Sequence, residues 1–142
     1  MTILEAAKQL KAGALTSAGL VDQTLAAISE KDGDLNAFIT VLDGPARARA
    51  KELDSEFAQG KYRGPLHGVP VAVKDLFHMK GVRTTAGSKL FEDLVSSFDS
   101  AVVEKLEAAG AVIVGKTNLH ELAYGVTSNN PHFGPVHNPH NL

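Results

Sequence analysis

The chain has 142 residues, 44% hydrophobic and 21% charged, enough for one globular domain that buries roughly 70% of its unfolded surface. Its formal net charge of -2 gives no basic footprint for nucleic acid, and no apolar stretch approaches the ~20 residues that cross a bilayer. Zero cysteines exclude a disulfide framework or thiol nucleophile, and Met1-Thr2-Ile3-Leu4-Glu5 lacks the basic region and apolar core of a secretory signal, which points to the cytoplasm.

The first half predicts helices. Thr2-Ile3-Leu4-Glu5 has capping-box spacing, in which the threonine oxygen and the glutamate cover orphan amides at a helix start. A second helix is expected from Ser17 to Glu30, with Leu20, Val21, Thr24, Leu25 and Ile28 on one stripe. Lys31-Asp32-Gly33-Asp34 is expected to break it. Asn36 to Leu42 suits a short strand. Pro45 fits the first turn of a third helix, where its missing amide would be unpaired anyway. Ala46, Ala50, Leu53 and Phe57 form that helix's apolar line, Arg47 to Glu52 its solvated face, and Gly60 its end.

Lys61 to Gly68 is rich in glycine, proline and charge. It is the expected boundary between a helical lead segment, residues 1–63, and an α/β segment, residues 64–142. Val69 to Val73 reads as a buried strand and Met79 to Ser88 as a loop. Asp99 or Ser100 caps a helix reaching Ala109, with Val102, Val103 and Leu106 inward. Ala111 to Val114 reads as a second strand. Strand, helical crossover and strand predict a parallel pair in an α/β sheet. Both strands are of a central type, and the rest of the chain offers few neighbours for them. Asn118 to Ala123 suits a short helix. Beyond Gly125, Pro131, Pro135 and Pro139 interrupt regular structure, and such a tail is expected to cover or connect to further structure.

Lys74 carries the strongest chemical implication. It follows the apolar run Val69-Pro70-Val71-Ala72-Val73, where burying an ammonium is costly unless it is paired, hydrogen-bonded or neutralised. It reads as a working amine at a strand end or, taken alone, as a lysine that snorkels to the surface. Gly110 to Thr117 matches the P-loop pattern G-x-x-x-x-G-K-[ST] letter for letter. That chemistry needs the four intervening residues as a phosphate-cradling loop. Here they are Ala-Val-Ile-Val, which reads as strand and leaves Lys116 as a support for neighbouring loops. His132, His137 and His140 cluster among prolines without nearby carboxylate or cysteine, and His67, His78 and His120 are dispersed. No metal site is expected.

Four blocks follow in order: Gly64-Pro65-Leu66-His67-Gly68-Val69-Pro70-Val71-Ala72-Val73-Lys74-Asp75, Gly81 to Ser88, Ala109 to Asn118, and Gly125 to Pro135 ending at Asn138-Pro139. Together they closely resemble the start of the catalytic domain in the amidase-signature family, the Ser-cisSer-Lys amidohydrolases. The resemblance implies an α/β fold: a helical N-terminal segment followed by the first strands and helices of a mixed-sheet core. It also implies that Lys74 is the general base. In the family the lysine acts through one serine, in a cis peptide arrangement, to deprotonate a second serine that forms the acyl-enzyme. A lysine serves in this way only if its pKa falls from ~10.4 towards ~7–8. A hydrophobic strand end favours that by desolvation. Asp75 would oppose it unless strand alternation turns it to the other face.

In the family a Gly-Gly-Ser-Ser-Gly-Gly signature follows the Asn-Pro element and supplies one serine, and the nucleophile lies further on. This sequence reaches His140-Asn141-Leu142 without either. The expectation is the front portion of an amidase, apparently truncated, with the base but not the nucleophile, and inactive by itself. Ala123 to Asn129 lies where family members build part of the substrate wall, which makes Tyr124, Gly125, Thr127 and Ser128 the implied substrate contacts. The plainer reading is a surface loop whose Asn and Ser satisfy their own backbone. The implied ligand is a small-molecule amide, with no cofactor. The family includes simple amidases and subunits that supply ammonia for transamidation of aminoacyl-tRNA, so a homodimer or amidotransferase subunits are the implied protein partners. A nucleotide-binding protein built on Gly110 to Thr117, and a non-catalytic remnant acting as a binding module, are the readings from other classes.

Overall fold

A computed structural model describes residues 1–141. It contains α1 (Ile3–Lys11), α2 (Ser17–Leu35), β1 (Phe38–Val41), α3 (Asp43–Ala58), β2 (Pro70–Lys74), α4 (Ala101–Ala108), β3 (Val112–Thr117), β4 (Asn129–Asn130) and β5 (Gly134–Pro135). Short 3-10 turns cover Lys89–Phe91 and Glu121–Ala123. Among the described residues no helix is long and apolar enough to cross a membrane.

The capping box at α1 forms as the sequence predicts: Glu5 N donates to Thr2 Oγ1 at 3.2 Å and Thr2 N to Glu5 Oε2 at 2.7 Å. The predicted break at residues 31–34 does not occur. Gly33 is on the solvent side of α2 and costs only about 1 kcal/mol in a helix. The helix ends instead at Asn36, whose φ of 51° lies in the left-handed region and whose N–H donates to Asp32 O at 2.7 Å. At α4, Ser100 holds the cap position without a side-chain cap bond, and Asp99 Oδ1 accepts from Lys80 N instead. Val103 is fully buried there, whereas Val102 is on the exposed side. Phe57 is half-buried and packs edge-on against Tyr62.

One sheet has the order β1-β3-β2, with β3 antiparallel to β1 and parallel to β2. The strand–α4–strand crossover is therefore as expected. The burial of the two strands is not. Central β3 is buried from Val112 to Lys116 and extends past the predicted Val114, whereas β2 lies at the sheet edge and is buried only at Val73. Helices α2 and α3 cover one face of β3, packing Val21, Leu25, Ala46, Ala50 and Leu53 on Val112 and Val114. Ile113 and Val73 point to the other face, with Leu42 and Val103. Residues on both sides of position 64 thus share one core, and β1 joins the sheet from before it.

The β2–β3 register slips by one between Val71 and Ala72, so that Ala72 faces Gly115 and Val73 faces Lys116. This bulge turns Lys116 onto the face of Val73, where unbroken alternation from Val112 and Val114 would send it to the opposite one. Gly115 is suited to this close approach, because an added Cβ would lie 2.7 Å from both Phe38 Cδ1 and Thr40 O of β1. The helix expected over 118–123 reduces to the turn Glu121–Ala123, interrupted at Leu122 with φ 54°. Past Gly125 the chain forms the small antiparallel pair β4–β5.

Candidate active site

β2 and β3 run parallel and end side by side, with Lys74 opposite Thr117 in register. The carboxyl ends of parallel strands are where α/β sheets place ligands. Lys74 is the last residue of β2, and its carbonyl accepts from Phe77 N at 3.0 Å. Its side chain is exposed and makes no ion pair or hydrogen bond among the described residues. The desolvation expected for Lys74 is therefore absent within these residues, where it is the exposed last residue of an edge strand.

The buried ammonium belongs to Lys116. It is 0% exposed, and its Nζ lies 2.9 Å from Asp75 Oδ1, 2.9 Å from Thr84 Oγ1 and 3.3 Å from Arg83 O. Two hydrogen bonds and one ion pair thus hold the ammonium. Asp75 follows Lys74 and points to the opposite face, as strand alternation requires. Its Oδ2 accepts from Thr85 N at 2.9 Å and Thr85 Oγ1 at 2.6 Å. Its Oδ1 meets Lys116 off the hydrogen-bonding direction and has no other donor among the described residues, so that contact is chiefly coulombic. Asp75 consequently directs its charge away from Lys74.

Tyr124, Gly125, Thr127 and Ser128 lie in the loop that follows β3, which is tied to the loop after β2 where Leu122 N donates to Ala86 O at 2.8 Å. Tyr124 is 90% exposed, and the hydroxyls of Tyr124, Thr127 and Ser128 make no hydrogen bonds among the described residues. A Cβ on Gly125 would run into the His120 ring, so only glycine lets the loop cross there. Asparagine fixes the segment, and sequence reasoning missed which one. Asn130, 2% exposed, donates Nδ2 to Gly87 O and Leu119 O, both at 2.7 Å, while its Oδ1 accepts from His132 N and Phe133 N.

A second polar cluster was also missed. Ser88 Oγ donates to Glu121 Oε1 at 2.7 Å, and His132 Nε2 lies 2.9 Å from the same oxygen. The Ser88 hydroxyl first, then His132, holds the Glu121 carboxyl below the usual carboxylate range. His132 therefore does have a carboxylate neighbour, contrary to the sequence reading. No group of three or more metal-ligating side chains occurs among the described residues. His67 is structural: it accepts at Nδ1 from Arg63 N and its Nε2 donates to Leu53 O at 3.0 Å. The P-loop match fails in three dimensions, since Val112 to Val114 are strand and Lys116 is consumed by Asp75.

The family description Amidase matches residues 19–142, and the chain belongs to this family, the amidase-signature proteins. It is 51% identical over 138 residues to one glutamyl-tRNA(Gln) amidotransferase subunit, from Anaeromyxobacter dehalogenans (strain 2CP-C), covering 97% of this chain and 28% of that protein. A solved structure described as a vestigial protein complex revealing the origins of an s-triazine catabolic enzyme superimposes with a TM-score of 0.95 at 40% identity, over 99% of this chain and 31% of that one. A bacterial aryl acylamidase of the amidase-signature family gives a TM-score of 0.93 at 29% identity, over 100% of this chain and 30% of the other. The chain spans under a third of the length of each relative.

Proposed function

We propose that these residues form the lysine-bearing part of an amidase that cleaves a carboxamide through an acyl-serine, with Lys74 as general base. The observation that carries this reading is the exposed Lys74 ammonium, unpaired among the described residues, at the carboxyl end of β2 and on the face opposite the Asp75 carboxylate. A base must be free of competing partners and open to the hydroxyl it deprotonates. Both serines then come from residues outside this chain, and structure packed over Lys74 supplies its desolvation. The chain alone is inactive on this reading. Tyr124, Gly125, Thr127 and Ser128 form part of the substrate wall, offering an aromatic face and unpaired hydroxyls. Lys74→Ala in the complete protein should lower kcat by ~10²–10⁴-fold. Retention of more than about a tenth of wild-type turnover would count against the assignment.

A second reading is favoured by the 51% identity to an amidotransferase component. There the ammonia released from a carboxamide donor passes to glutamyl-tRNA(Gln), the protein works in the cytoplasm, and other subunits are its partners. Full-rate hydrolysis of simple amides by the complete protein, without added subunits or tRNA, would discard this reading in favour of a free-standing amidase.

A further inference from the structure

Lysine has a long side chain, and Lys74 has no side-chain contact among the described residues that fixes it. A general base must nevertheless reach its partner hydroxyl to within hydrogen-bond distance, and a misplacement of ~1 Å can cost ~10²-fold in rate. What sets the base is therefore the backbone at 74–75. Within the described residues β2 has only one strand neighbour, so pairing secures it from one side alone.

The residue after Lys74 makes up the difference. Asp75 N donates to Thr117 O at 3.0 Å and Asp75 O accepts from Ala86 N at 2.9 Å. Its carboxylate holds Thr85 through two hydrogen bonds and Lys116 through charge. Lys116 in turn is tied to Thr84 and Arg83. The bulge in β3 exists at the position that turns Lys116 towards Asp75, as bulges beside active sites commonly re-aim a side chain. We propose that the buried Asp75–Lys116 pair is a positioning device for the catalytic lysine: it anchors the exit of β2 to β3 and to the Arg83–Thr85 loop, and thereby fixes where Lys74 projects. This rests on the reading of Lys74 as general base.

The test compares four variants of the complete protein by steady-state kinetics across pH, with the thermal midpoint measured in parallel. Asp75→Asn keeps the size of the side chain and an acceptor for Thr85 but removes the charge that faces Lys116. It should lower kcat by about tenfold or more with KM changed little, and move the pH limb that Lys74→Ala abolishes. Thr85→Val removes the hydroxyl's bond to Asp75 Oδ2 and its acceptance from Gly87 N while keeping both charges of the pair, and should lower kcat in the same sense. Thr85→Ser, which restores the hydroxyl, should recover most of that loss. If Asp75→Asn fails to fold, the Thr85 pair carries the same comparison. A lowered thermal midpoint with unchanged kcat and pH limb in both Asp75→Asn and Thr85→Val would overturn the inference, leaving the pair purely structural. If Lys74→Ala itself keeps its turnover, the reading of the base falls and the positioning role falls with it.

Discussion

Lys116 Nζ stands 2.9 Å from Asp75 Oδ1, and neither side chain reaches solvent. Taking both charges out of water is expensive, and their attraction offsets this only because the remaining polar atoms are also bonded. Thr85 serves the carboxylate and Thr84 the ammonium. The pair is thus a fixed point between the two parallel strands rather than a simple source of stability.

Removing one partner should therefore be severe. Lys116→Ala leaves a buried, uncompensated carboxylate and should cost about 3–5 kcal/mol. Lys116→Met combined with Asp75→Leu should recover only part of that, because Thr85 N and Thr84 Oγ1 lose their partners. Denaturant midpoints of the single and double variants measure both effects. An unchanged midpoint for Lys116→Ala would show that the ammonium is not confined as described.

Gly115→Ala tests the β1–β3 seam. The new methyl meets the Phe38 ring and the Thr40 carbonyl at 2.7 Å, and a backbone oxygen cannot swing aside as a side chain can. The expected cost is about 1–3 kcal/mol, the usual range for overpacking. Faster hydrogen exchange in residues 38–41 should accompany it. A variant as stable as wild type, with β1 protected as before, would mean that the strands approach less closely.

The parts legible in the sequence are those set by local chemistry. The Thr2–Glu5 capping box, the α3 line of Ala46, Ala50 and Leu53, and the β2–α4–β3 crossover all follow from short-range pattern. What depends on the position of a strand within the sheet was not legible. A buried ammonium must indeed be partnered, but the ammonium concerned is that of Lys116, since β3 is central and β2 an edge. Lys116 sits in a run as apolar as that before Lys74, so the same requirement applied to it. The one local mark of the bulge that aims it is Gly115, a lone glycine inside a strand run. Contacts such as Ser88–Glu121 and Asn130–Gly87 join residues 33 and 43 positions apart, beyond the reach of any periodicity.

Glu121 should contribute to acid sensitivity. Its folded-state carboxyl is held below the ordinary range, chiefly by the Ser88 hydroxyl. In the acid window the unfolded state then binds more protons, so the contribution is present above the ordinary carboxylate range and lost as pH falls through the folded value. Glu56 beside Arg63 and Asp43 beside Arg47 are shifted the same way, so the informative quantity is a difference. The stability gap between wild type and Glu121→Gln should be largest near neutrality and should close on acidification. A gap constant with pH would indicate that Glu121 acts without its charge.

The outer edge of β2 has no strand beside it among the described residues, and Ala72 is exposed there between Val71 and Val73. An uncovered edge with small apolar side chains offers backbone donors and acceptors to any other chain, and charge on the edge is how proteins blunt that tendency. Lys74 supplies one such charge, at the end of the strand rather than in its middle. The chain should therefore self-associate as its concentration rises, and Ala72→Lys, which adds an ammonium at an already exposed position, should suppress this without lowering the denaturant midpoint by more than about 0.5 kcal/mol. Sedimentation velocity over a concentration series distinguishes the outcomes. A wild-type chain that stays monomeric throughout would show that the twist of β2, or the segment following it, already protects the edge.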